Sequence, residues 1–349
     1  MRAPGVKGGS LLHHRGVNAE TPTFISFVRH GQSVSNLARR WEGHGDSPLT
    51  QLGKRQASLL GQRLRRGRFT HVLTSDLKRA AETARATGFP CETHAALREI
   101  DVGRWGGLTR EELAARYPEE VEAIANGQDI PRGGGESFAA FSARVGSAIG
   151  ALRARLAPGD HALVVCHGAF IATALAGVLG LGNPLRWALA HVSNTSLTGI
   201  SFTSAGARLH VFNDTLHLFP LGEWPRYPDT SGMVGLVCDG LEGDCFGAFT
   251  ARYDAIEHLS ALGASALGEA HAALLTARLG ELHQRYPAHR VALAAQAGSI
   301  QAWAERMLWP ADRGEGTLVA PIAGSICHVA RAGERVLLLD YGVSALPRA

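Results

Sequence analysis

The sequence predicts an α/β protein, with a mainly parallel sheet covered by helices on both faces and a smaller α/β segment after it. Three observations predict this. Short apolar runs alternate with helical patterns from residue 23 to residue 213, and that alternation marks strands joined by helical crossovers. The run Ala162–Cys166 has the composition of a strand buried on both faces. The stretch Glu136–Leu156 puts Phe138, Phe141, Val145, Ile149, Leu152 and Leu156 on one helical face.

Taken in order, Thr23–Val28 reads as a strand that delivers the loop Arg29-His30-Gly31. Gln51–Arg66 reads as a helix, with Thr50 as its N-cap after a Pro-Leu turn. His71–Ser75 reads as a strand, Leu77–Thr87 as a helix and Cys91–Leu97 as a weaker strand. After the long helix come the strand Ala162–Cys166 and the helix Ala169–Gly180. Leu197–Phe202 and Leu209–Asn213 form a strand pair around Ser204-Ala205-Gly206. Leu218–Met233 is rich in Pro and Gly without periodicity and reads as a linker. Beyond it Val234–Cys238, Val291–Ala295, Ser325–Ala330 and Arg335–Leu339 read as strands, and Ala270–Tyr286 and Ile300–Leu308 as helices. The divisions expected are a disordered tail over 1–21, a first domain over 22–220, a linker over 221–233 and a second segment over 234–349.

Composition narrows the classes. The 349 residues are 45% hydrophobic and 19% charged, enough apolar mass for a sizeable core. A net charge of +4, with no block of like charges, argues against a nucleic-acid or membrane partner. The cluster Arg63, Arg65, Arg66 and Arg68 reads as a solvated helix face. Five cysteines, none in a CxxC pair, give neither a disulfide framework nor a zinc site, so a reduced, cytoplasmic setting is expected. No apolar run is long enough to span a bilayer, and residues 1–20 lack the hydrophobic region of a secretory signal.

Two histidines occupy equivalent places. His30 and His167 each follow a strand and precede a glycine, Gly31 and Gly168, that lets backbone approach a ligand. In an open parallel sheet both fall at the carboxyl edge, where ligands bind. Arg29 adds a guanidinium there, and Arg79 adds another from the start of a helix. Two Arg and two His around one edge suit a tetrahedral oxyanion, because guanidinium presents a planar fork of donors. A neutral imidazole can attack phosphorus and hold the phosphoryl group covalently, and the flanking cations favour the neutral ring. The leaving alcohol needs a proton, and Glu99 is the candidate acid; Asp101, two residues on, could share or replace that role.

The runs that carry these residues resemble the histidine phosphatase superfamily, in its phosphoglycerate-mutase-like branch. They are Arg29-His30-Gly31-Gln32-Ser33-Val34-Ser35-Asn36, Asp46-Ser47-Pro48-Leu49-Thr50-Gln51-Leu52-Gly53, Thr74–Ala84, Leu97–Trp105, Gly134-Gly135-Glu136-Ser137 and Val165-Cys166-His167-Gly168. They occur in the family's order, over about residues 22–220. The resemblance implies a phosphoglycerate-mutase-like fold. It implies a phosphate pocket of Arg29, His30, Arg79 and His167, with Glu99 as acid and base. Gln32, Ser33, Asn36 and Gly168 are then expected to contact phosphate or substrate. It implies no metal and no organic cofactor, and a small phosphorylated substrate as partner; the sequence leaves room for a homodimer.

Within such a family a mutase returns the phosphoryl group to a second hydroxyl, whereas a phosphatase gives it to water. Mutases usually carry Trp before the Asn of the first motif, and here that place is Ser35. The acid segment lacks their basic, aromatic continuation, and Gly-Gly-Glu-Ser is more like broad-specificity and alpha-ribazole phosphatases. Hydrolysis is the expectation; mutase chemistry and a non-catalytic phospho-ligand sensor are the alternatives. Glu136 and Ser137 read as a helix start, His210 and His217 as structural or surface residues. Trp41, Trp105 and Phe138 line the substrate mouth or pack in the core.

The second segment is expected to repeat the later half of the first domain in degraded form, or else to be a separate core with the same element order. Leu241–Gly247 parallels Leu97–Gly103, with Gly243 in the place of Glu99, and Val291–Ala297 parallels Ala162–Gly168, with Gln296 in the place of His167. Nothing there matches Arg29-His30-Gly31 or Arg79. Lacking a first strand, the segment is expected to cover an exposed edge by packing on the first domain or on a second subunit.

Overall fold

The computed structural model describes residues 20–181, 191–221, 231–238, 255–258, 269–285, 290–295, 297–308, 317–318, 325–332, 335–338, 341 and 343–344. Of the expected tail, only residues 20 and 21 are among them.

The first sheet is built on β1 (Thr23–Arg29), β2 (His71–Ser75), β3 (Glu92–His94), β4 (His161–Cys166), β5 (Leu197–Thr203) and β6 (Gly206–Asp214). Its order is β6-β5-β1-β4-β2-β3, with a further short strand at the β6 edge. β1, β4, β2 and β3 run parallel, and β5 pairs antiparallel with both β1 and β6. The order places β1 beside β4, so that Arg29 faces Cys166 in register and the chain leaves both strands at one edge.

Strand alternation splits the core between two faces. Ile25 and Phe27 of β1, with Ala162, Val164 and Cys166 of β4, face α6 (Phe138–Arg155) and α7 (Gly168–Leu179). Val28, Leu163 and Val165 face α2 (Gln51–Leu64) and α3 (Lys78–Thr87). The predicted face of α6 buries Phe141, Val145, Ile149 and Leu152, while Phe138 and Leu156 pack at its margin. Thr50 caps α2 by accepting from the Gly53 amide, and Ser137 caps α6 by accepting from Ala140.

Several expectations are corrected. Cys91–Leu97 is a three-residue strand followed by a 3-10 turn, Ala95–Leu97. Three helices lacked a distinct periodic signal: α1 (Val34–Leu37), α4 (Arg110–Arg116) and α5 (Pro118–Ala125). Arg63 is not part of a solvated face. Its guanidinium forms a two-pronged ion pair with Asp214, whose carboxylate is 5% exposed. That pair ties α2 to the end of β6, and Arg65, Arg66 and Arg68 alone face solvent.

The second sheet contains β7 (Ser231–Cys238), β8 (Ala255–His258), β9 (Arg290–Ala295), β11 (Ser325–Ala332) and β12 (Arg335–Leu338). Residues 231–233, expected in the linker, begin β7, and the rest of that linker apart from Leu221 lies outside the described residues. The order is β12-β11-β7-β9-β8. β7 is parallel to β9, β9 to β8, and β11 is antiparallel to β7 and β12. This is the arrangement of β6-β5-β1-β4-β2. β7 holds the first-strand position that the sequence reading left empty. Leu241–Gly247 lies outside the described residues, but it falls between β7 and β8, so its chain order matches the stretch between β1 and β2 rather than Leu97–Gly103.

α8 (Glu269–Arg285) and α9 (Ala297–Leu308) cover this sheet through Leu275, Leu279, Leu282, Ile300 and Trp303. The two sheets meet along the outer edge of the first. β10 (Thr317–Leu318) pairs in parallel with Arg208 and Leu209 of β6, and Tyr341, fully buried, exchanges backbone hydrogen bonds with Phe212. Val343–Ser344 (β13) pairs with β11.

Candidate active site

Everything at the site follows from where β1 and β4 end. The amide of His30 donates to Cys166 O at 3.0 Å, extending the ladder one residue past Arg29. The imidazole is 2% exposed. Its Nδ1 lies 2.8 Å from Gly31 O, and a carbonyl only accepts, so Nδ1 carries the hydrogen. Arg79 Nε donates to Nε2 at 3.2 Å, which requires the lone pair there. Both contacts select one tautomer and leave Nε2 as the bare, nucleophilic nitrogen. Burial first, then Arg79 and Arg29, hold the ring well below the usual imidazole range, so it is neutral.

His167 sits 5.2 Å away, centroid to centroid. Its Nε2 is 2.8 Å from Ser75 Oγ. Ser75 Oγ also accepts from the Leu77 amide, so its hydroxyl hydrogen is free to go to His167. Nδ1 then carries the ring hydrogen, and it is a buried donor without a partner. Burial, followed by Arg79, His30 and Arg29, keeps this ring neutral as well.

Arg29 donates from Nη1 to Val192 O at 2.5 Å and from Nη2 to Asn36 Oδ1 at 3.4 Å, and its buried Nε is unpartnered. Gly168 lies against this guanidinium: a Cβ there would sit in ordinary contact with it, 3.4 Å from Nε. Arg79 is 1% exposed and held by the carbonyls of Gly43 and Gly45 at 2.8 and 2.9 Å. Gly31 serves packing rather than ligand approach. A Cβ there would meet Gly53 O of α2 at 2.6 Å.

Glu99 places its carboxylate at the N-terminus of α7, the helix that follows His167. Oε2 accepts from the Ala169 amide and Oε1 from Ile100, each at 3.1 Å. Its carbonyl is fixed by His44 Nε2 at 2.9 Å and Arg144 Nη2 at 3.0 Å. Asp101 is turned elsewhere, with Oδ1 closing a turn on the Gly103 amide and Oδ2 3.9 Å from His44. Glu136 does more than begin a helix, because it accepts from the Asp101 amide and pairs with Arg144 at 2.8 Å, clamping the acid loop.

The other expected contacts divide. Asn36 accepts at Oδ1 from Asn194 at 3.1 Å as well as from Arg29, which leaves its amide hydrogens facing away from those groups. Ser33 caps α1 and gives its hydroxyl hydrogen to Glu42 at 2.8 Å. Gln32 accepts from the Thr50 hydroxyl at 2.9 Å. The last two are thus engaged in holding the loop. Trp105 is core, 2% exposed, and the exposed Trp41 meets its ring edge-on at 6.2 Å. His217 is buried against Thr195, and His210 bonds Ser201. Sequence reasoning missed Glu42, Ser75 and Asn194, which donates to His30 O at 2.9 Å. Lone polar residues in loops or at a strand end carry no periodic signal.

The sequence profile of the Histidine phosphatase superfamily (branch 1) matches residues 25–215. The chain belongs to this superfamily. The match takes in both histidines, both arginines and Glu99. The protein named Probable phosphoglycerate mutase GpmB of Yersinia enterocolitica is 33% identical over 206 residues, 56% of this chain and 94% of the relative. Among solved structures, the alpha-ribazole phosphatase of Shigella flexneri matches with a TM-score of 0.51 and 28% identity, over 55% of this chain and 96% of that one. YhfR of Bacillus stearothermophilus matches with a TM-score of 0.52 and 29% identity, over 56% and 99%. This member of the superfamily is therefore similar both to a protein named a probable mutase and to a phosphatase. Among its described residues no helix is long and apolar enough to cross a membrane.

Proposed function

We propose that the protein hydrolyses small phosphomonoesters through a phosphohistidine on His30. The observation that carries this reading is a pair of unfilled donors in the pocket that holds the His30 lone pair. A buried lone pair stands beside two buried donors without partners, Arg29 Nε and His167 Nδ1. Buried donors are rarely left unmet, so a ligand rich in acceptor oxygens fits them.

The lone pair of His30 Nε2 attacks phosphorus, and the ester P–O bond breaks toward the leaving oxygen. Glu99 supplies the proton that makes it an alcohol. Arg29, Arg79 and His167 stabilise charge on the equatorial oxygens. A water then gives its proton back to Glu99 and attacks the phosphoryl group. The N–P bond breaks, leaving phosphate and neutral His30. Nothing in this sequence of steps calls for a metal.

The mutase alternative draws on the Yersinia relative, and the two outcomes separate by product. Expected is release of inorganic phosphate from p-nitrophenyl phosphate and from small sugar phosphates, with an acid-labile phosphoenzyme in rapid quench. Interconversion of phosphoglycerates faster than phosphate release would instead favour the mutase. Folded protein with neither activity nor phosphoenzyme would favour the sensor.

The second unit we read as a non-catalytic copy of the same fold. Its support is the shared strand order together with the residues that follow β7 and β9 in sequence, Asp239 and Gln296, where the first unit has His30 and His167.

A further inference from the structure

One acid inside the phosphate pocket has no place in the mechanism above. Glu42 reaches in from the loop between α1 and α2, and its carboxylate is 7% exposed. Oε2 accepts from Ser33. Oε1 is buried, makes no hydrogen bond and lies 3.3 Å from Arg79 Nη1. The cations around it are Arg79 from α3 and Arg29 from the end of β1. Of its loop neighbours, His44 is turned to Glu99 O and Asp101, and Asp46 acts on Arg79. The guanidinium that Glu42 touches through Nη1 is the one that donates to His30 Nε2 through Nε, so Glu42 and a phosphoryl group on Nε2 would share that guanidinium.

An ionised carboxylate there would repel a phosphate dianion in a buried site. A protonated one becomes a donor, and Oε1, unlike Oε2, makes no hydrogen bond in the fold. We propose that Glu42 is a phosphate-contacting residue and that the pocket takes up one proton on Glu42 when a dianion binds. The inference rests on the phosphate-pocket reading above. Burial already pushes the Glu42 carboxyl up, against the opposing pull of Arg79 and Ser33, and an incoming dianion pushes it further in the same direction.

Sulfate is the probe, because it stays a dianion throughout the range, whereas phosphate titrates itself. For the wild type, sulfate Kd should rise as the pH is raised from about 6.5 to about 8, by up to about tenfold per pH unit. Calorimetry in two buffers of different ionisation heat should show uptake of close to one proton. In Glu42→Gln, which keeps a donor of the same shape, Kd should be flat over that range and tighter than wild type at the alkaline end. A flat wild-type profile with no proton uptake overturns the proposal, and it needs no variant. So does a Glu42→Gln profile that keeps the wild-type slope. Absence of sulfate and phosphate binding at every pH in folded wild-type protein would instead overturn the phosphate-pocket reading itself.

Discussion

In the first sheet β1 and β4 lie parallel with Arg29 opposite Cys166, and the chain continues from them into His30 and His167. In the second sheet β7 and β9 lie in the same relation with Cys238 opposite Ala295, and the sequence continues into Asp239 and Gln296. The flanking strands repeat too, antiparallel on one side and parallel on the other. What differs is charge. The first edge has two guanidinium groups and two neutral imidazoles; the second has, by sequence, a thiol, a carboxylate and an amide at the matching strand ends. A phosphate dianion is drawn to the first set and repelled by a carboxylate in the second. The backbone sets where a site can be, and side chains decide whether it is one.

The strongest test of that contrast removes the His30 imidazole. His30→Ala should lower kcat/KM for p-nitrophenyl phosphate by roughly 10^4-fold or more and abolish the trapped phosphoenzyme. Phosphate still trapped on the variant, mapped by peptide digestion to the second unit, would break the contrast outright. Glu99→Gln comes next. It should cost about 10^2- to 10^4-fold on alkyl phosphates, whose leaving oxygen needs a proton. The loss on p-nitrophenyl phosphate should be much smaller, since nitrophenolate leaves unaided. Equal losses on both would give Glu99 a role in binding or positioning instead, and Asp101→Asn run alongside shows whether the proton comes from there.

Much of the first unit was legible because its signals are periodic or local. The α6 face, the strand–loop–helix runs and the caps at Thr50 and Ser137 are all read from spacing. So was the gathering of Arg29, His30, Arg79 and His167 in one place, since the ends of parallel strands and the helices that follow them converge at one edge. What was missed depends on chain distant in sequence. Arg63 looked like surface until Asp214, far along the chain, came beneath it. Ser33 and Gln32 looked like ligand contacts, but their partners Glu42 and Thr50 are brought over by the fold. In the second unit β7 was found as a strand, yet its place beside β9 was not. Residue similarity is too weak there to show register, and only the ladder from Met233–Arg290 to Cys238–Ala295 reveals it.

A smaller effect sharpens the same contrast through stability. His30, His167 and His217 are buried and neutral; burial is the leading cause in each, and it takes His217 down to about 3. Each ring has a depressed pKa in the folded chain and an ordinary one near 6.5 when unfolded. Below about pH 6.5 the unfolded chain therefore binds more protons, so the stabilisation is present above that pH and lost as pH falls. Each such ring contributes up to about 1.4 kcal/mol per pH unit to the slope. His167→Gln gives the first edge the residue that follows β9 in the second. It should make the acid slope of the urea-unfolding free energy shallower by about that amount between about pH 6 and about pH 5. At neutral pH the variant should stay folded but fail to turn over substrate. An unchanged slope would mean that His167 is already protonated in the folded chain, and the unpartnered Nδ1–H would then belong to an imidazolium rather than to the neutral donor that the contact with Ser75 implies.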